Sequence, residues 1–194
     1  MDSRLQDPTD PLSPLGRRLL KLDPQAYAIL VPTAGGNAIA RDLLESAQPQ
    51  DLLAQPMKSR DDARAMLSGL WLWFDWLDQS HTISQGVDTT TGSYWHAIMH
   101  RREGDFGNSK YWFARCRNHS SMATLGVQAA TLANTYPADK SVLKIIMAGW
   151  NPDAFVDLVE QVHDSPDDPR HKLAVALQRL EWQTLFDHCT RAAV

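Results

Sequence analysis

A chain of 194 residues with a net charge of −4, 43% hydrophobic and 22% charged, is long enough to bury one core and too apolar to stay disordered. The acidic balance argues against a nucleic-acid binder, which concentrates positive charge, and two cysteines, Cys116 and Cys189, are too few for a disulfide framework. The longest apolar runs, Ala26 to Val31 and Gly69 to Phe74, fall well short of a bilayer, and the acidic, proline-rich start is unlike a secretion signal, so a cytoplasmic protein without a membrane segment is expected.

Proline divides the chain. Seven of the 11 prolines fall between Pro8 and Pro56 and none between Met57 and Tyr136, which frees the middle to be helical. Residues 1–58 read as a proline-rich arm with short helices over Leu15 to Leu22 and Asn37 to Ser46, packed on a helical core of residues 59–194. The run Ala26 to Val31 has strand character but no second run to pair with, so no sheet is expected. From Ser59, a capping residue with Asp61 and Asp62 behind it, one helix is predicted to continue to about Ser84, the longest of the core. A second begins at the threonines Thr89 to Thr91 and stops at Gly104, and a third follows Asp105 to Cys116. Further helices are expected over Met122 to Leu132, Asp139 to Met147, Pro152 to Val162 and Pro169 to Thr190. The fold expected is all-α, one bundle of about six to eight helices.

The last helix carries two apolar lines, Leu173, Leu177, Leu180 and Trp182, Leu185, Phe186, Cys189. So wide an arc is either central to the core or shared with a second copy in a homodimer. Charge is also uneven: residues 151–168 hold six acids and no Lys or Arg, whereas residues 96–119 hold five basic residues against two acids. The two segments either face each other or are unrelated solvated surfaces.

Chemistry concentrates between Trp71 and Arg115. In the first core helix the stripe Leu67, Trp71, Phe74, Asp78, His81, Gln85 turns from apolar to polar, so its carboxylate and imidazole are paired, metal-bound or at a wet edge. In the second, His96, Met99, His100 and Glu103 share one face. Two histidines four apart bring two nitrogens to one divalent metal ion; Glu103 and His81 are the further candidate ligands, and Asp78 or Glu103 the candidate general base. The alternative is a buried polar network satisfied by protein groups. Arg101, Arg102, Lys110 and Asn108 beside this face suit a small anionic molecule, with Trp95 and Trp112 as walls, unless the arginines pair with the acidic segment instead. These residues point to a metal-dependent hydrolase, to an anion-binding module without catalysis, or to a structural or interaction protein. Cys116 and His119 are a weaker nucleophile and base pair, because closeness in sequence does not place side chains together.

The run Tyr94 to Phe113, YWHAIMHRREGDFGNSKYWF, resembles the signature of a group of bacterial proteins with no established activity. The resemblance covers about a tenth of the chain and implies that this run acts as one unit, without assigning a role to any residue. The group's signature carries proline where this chain has Gly104.

Overall fold

The computed structural model describes residues 10–136 and 149–194, and among them there are nine α-helices and no strand. The helix expected over Asp139 to Met147 lies outside the described residues. Apart from the helices, Leu12 and Leu53 form a single antiparallel bridge, reinforced by Ser13 N–H to Leu52 O at 2.9 Å and Ala54 N–H to Pro11 O at 2.8 Å. It ties the start of the chain to the residues just before the core.

The helices begin where the sequence supplies an acceptor for their free N–H groups. Ser13 caps α1 (Pro14–Leu22), Asn37 caps α2 (Ala38–Ser46) and Ser59 caps α3 (Arg60–Trp73), each side chain accepting from a backbone N–H of the first turn. The single long helix expected from Ser59 to Ser84 is instead two, α3 and α4 (Leu77–Ser84). They separate at Asp75, whose φ of 64° is a left-handed conformation that no helix tolerates. The residue is held there from outside: Arg102 donates to its Oδ1 at 2.6 Å, to Leu72 O at 2.6 Å and to Ile29 O at 2.9 Å, and its guanidinium lies 3.9 Å from the centre of the Tyr27 ring.

Thr89 caps α5 (Thr90–Glu103), which ends at Gly104. With φ of 88°, Gly104 turns the chain so that Asp105 N–H returns to His100 O at 3.0 Å, a helix end that suits glycine. Asp105 then caps α6 (Phe106–Ala114), and Ser109 Oγ on α6 donates to Ala97 O at 2.8 Å, fixing α6 against α5. α7 spans Ser121–Ala133, α8 Pro152–Val162 and α9 Pro169–Ala192.

The core forms where α3, α5 and α9 meet. Gly69 on α3 lets the Trp95 ring come so near that an added Cβ would stand 2.7 Å from it, and Trp182 on α9 donates its indole N–H to Gly69 O at 2.7 Å. Trp95 and Trp182 are buried with Trp73, Phe186 and Leu185 around them; large rings buried in this way are the main apolar contribution of such a core. A second apolar group, including Phe155, Val159, Leu173 and Leu177, joins α8 to α9. Both apolar lines of the last helix are thus covered within the chain, by α3, α7 and α8, and its wide arc needs no second copy to explain it. The acidic and basic segments do meet: Lys110 on α6 pairs with Asp157 on α8, and Arg117, in the turn after α6, with Asp153 on α8 at 2.5 Å. No helix among the described residues is long and apolar enough to cross a membrane.

Candidate metal centre

The break at Asp75 starts α4 on a new course, and α4 packs along α5. His81 from α4 thereby meets His96 and His100 from α5, with ring centres 4.7 Å and 5.4 Å away. One ring nitrogen from each of the three lies within 4.8 Å of the others. His96 and His100 are buried; His81 is half-buried at the rim.

Hydrogen bonds fix much of the protonation pattern. The Glu103 carboxylate accepts from His100 Nδ1 at 2.8 Å, which leaves His100 Nε2 as a lone pair. His96 Nε2 stands 2.9 Å from it and the Asn108 amide nitrogen 3.1 Å, so two donors compete for one acceptor. His96 Nδ1 is buried with no hydrogen-bond partner. Trp112 stacks on His96 with ring centres 4.1 Å apart and an interplanar angle of 24°, and the Arg115 guanidinium lies 5.2 Å from the Trp112 ring. Burial, and then the neighbouring imidazoles His100 and His81, push His96 down to about 4, so at neutral pH it is an uncharged nitrogen donor.

Three imidazoles converging on one point are the donor set of zinc and similar divalent ions, and a carboxylate on the far nitrogen of His100 is the usual support for such a ligand. In a tetrahedral site the ligand nitrogens stand about 3.3 Å apart, so the His96 and His100 rings need to part by only a few tenths of an ångström.

The remaining sequence-predicted residues divide sharply. Asn108, Trp112 and Glu103 are at the histidines, Glu103 by way of His100 and 52% exposed. Asp78 is exposed and lines a cleft of about 270 Å³ with Pro32, Gly35, Asp75 and Trp76. Arg101 and Arg102, expected as anion ligands, have no exposed surface. Arg101 donates to Glu181 at 2.5 Å between the Phe155 and Phe113 rings, and Arg102 is spent at the break after α3. Neither pairs with the acidic segment, because their partners lie on α9 and beside α3. Lys110 is the residue that does pair with that segment, and Trp95 is a core residue that donates to Cys189 Sγ at 3.4 Å. Comparison with protein-family models, with curated proteins and with solved structures finds no match to this chain.

Proposed function

We propose that this protein binds one divalent transition-metal ion through His81, His96 and His100 and uses it for hydrolysis of a small molecule. The observation that carries this reading is the convergence of three imidazole nitrogens within 4.8 Å, with Glu103 behind His100. Three nitrogen ligands leave a fourth position for water, the ligand count of catalytic rather than structural zinc, and an ion so held supplies Lewis acidity and a water of lowered pKa. Glu103 keeps the His100 proton on Nδ1 and its lone pair toward the centre, Trp112 fixes the His96 ring plane, and the Asn108 amide offers a hydrogen bond to whatever stands beside His100. With Arg101 and Arg102 buried and Lys110 paired, the substrate is held by the metal position and by Asn108 rather than by an arginine fork.

A second reading, a polar network that fixes the packing of α4, α5 and α6, is favoured by one fact: His96, His100 and Glu103 already form a chain of contacts at 2.9 Å and 2.8 Å. Elemental analysis after purification without a histidine tag or chelator separates the two. The metal reading expects close to one equivalent in the parent and none in the His96→Ala/His100→Ala variant, and with cobalt the absorption of a low-symmetry four-coordinate ion. No metal in the parent after reconstitution with zinc, cobalt or manganese establishes the network reading instead. Because the double change empties a buried site, His81→Ala at the rim is the control that should lose metal and keep the fold.

A further inference from the structure

Beyond the metal centre, the turn between α6 and α7 brings a serine to a histidine. Ser121 Oγ lies 2.7 Å from His119 Nδ1, and on the other side of the ring Thr91 Oγ1, in the first turn of α5, lies 3.2 Å from Nε2. All three residues are buried. The proton positions follow from one further contact, the backbone N–H of Ser121 directed at Nδ1 at 3.3 Å. A backbone N–H can only donate, so Nδ1 carries the lone pair, Nε2 carries the proton and gives it to Thr91, and the Ser121 hydroxyl donates to Nδ1. This is the order required of a serine nucleophile, its base and a group that orients the base. Burial and His188 hold His119 well below its ordinary value, which keeps it in the unprotonated form.

Ser121 also lines a cleft of about 460 Å³, shared with Ser120, Thr124, Gln128, Asp187, His188 and Arg191, between the start of α7 and the end of α9. The cysteine that precedes it in sequence is not the nucleophile. Cys116 Sγ is directed at Trp112 O and Phe113 O, and burial pushes its thiol up to about 12.

We propose that Ser121, His119 and Thr91 form an acyl-transfer site, independent of the metal centre, that cleaves small polar carboxylic esters held in this cleft. Ser121 Oγ attacks the acyl carbon while its proton passes to His119 Nδ1. Collapse breaks the carbon–oxygen bond to the alcohol, which leaves with that proton. Water then attacks the acyl-serine, His119 takes its proton, and the acid departs as the proton returns to Ser121 Oγ, so that ester and water become acid and alcohol. Thr91 is the positioning residue, holding the tautomer that makes Nδ1 the base.

The test is an alkyl fluorophosphonate probe on the full chain in the presence of EDTA, read by mass spectrometry of the labelled peptide. The expected result is an adduct at Ser121 and not at Ser120, unchanged by the chelator and formed about 100-fold more slowly in His119→Gln. Thr91→Val should slow labelling, and Thr91→Ser should restore it at equal melting temperature. Two results overturn the site: no adduct at Ser121 in the parent, or labelling of Ser121 whose rate folded His119→Gln leaves unchanged. In either case His119 serves only to hold the start of α7 against α5 through Ser121 and Thr91, and the metal reading is unaffected, because none of its residues is involved.

Discussion

Two histidine groups hang on the same helix and differ in what surrounds the rings. Near the end of α5, His96 and His100 meet His81, and the Glu103 carboxylate occupies the far nitrogen of one ring, leaving a nitrogen of each of the three rings turned toward the others. At its beginning, Thr91 meets His119, both of whose nitrogens are taken by hydroxyl groups, Thr91 on one side and Ser121 on the other, with His188 approaching by its ring edge at 4.6 Å. The number of imidazoles is similar, yet the first arrangement gathers ring nitrogens at one point and the second spends one electron pair on one hydroxyl proton. What an imidazole cluster can do is decided by the groups on its outer nitrogens.

The largest expected effect comes from loosening the helix that both groups share. Arg101 and Glu181 are both without exposed surface, and Tyr94 also donates to Glu181, at 3.2 Å. Burial pushes the Glu181 carboxyl up, with Arg101 acting against it. Arg101→Met leaves that carboxylate without its cation and should cost about 3–5 kcal/mol in chemical denaturation, disturbing both groups together. If the loss is near zero, the pair does not anchor α5.

A smaller change acts on one group alone. Glu103→Gln keeps the shape but not the charge behind His100, and metal affinity measured by competition with a chromophoric chelator should fall about 10- to 100-fold. Labelling at Ser121 should not change, because the two groups share no side chain.

The smallest effect concerns pH and the other group. His119 moves from an ordinary 6.5 to about 4 in the folded chain, so between those values the unfolded chain binds a proton that the folded one refuses. Stability therefore falls as pH is lowered from about 6.5 to about 4 and gains nothing further from this group above that window. Urea midpoints at about pH 7 and about pH 4.5 should lie closer together in His119→Gln than in the parent. An equal spacing would mean that His119 titrates alike in both states.

The shared face of His96, His100 and Glu103 was legible from spacing alone, because three- and four-residue intervals on a helix become neighbours whatever the rest of the fold does. The all-α architecture and most helix starts were legible for a similar reason: Ser13, Asn37, Ser59, Thr89 and Asp105 cap the residues that follow them. The fates of Arg101 and Arg102 were not. Charge alone predicts a solvated side chain, and only the arrival of Glu181, 80 positions later, and of Asp75, 27 positions earlier, makes burial tolerable. The break between α3 and α4 was hidden likewise, since no proline or glycine marks it. Ser121 and Thr91 stand 2 and 28 positions from His119, spacings that carry no periodic signal.

The contacts of Arg102 give the segment before α2 a place in the chemistry. That side chain is gripped by Ile29 O and covered by Tyr27, and through Asp75 it dictates the direction in which α4 sets out, hence where the His81 ring comes to rest. Tyr27 and Ile29 touch none of the three histidines, yet they act as a remote rudder for one of them. The proline-rich stretch is accordingly part of what aims the His81 ring, and a change in it would be felt first at the rim of the histidine cluster, before the bundle itself gave way.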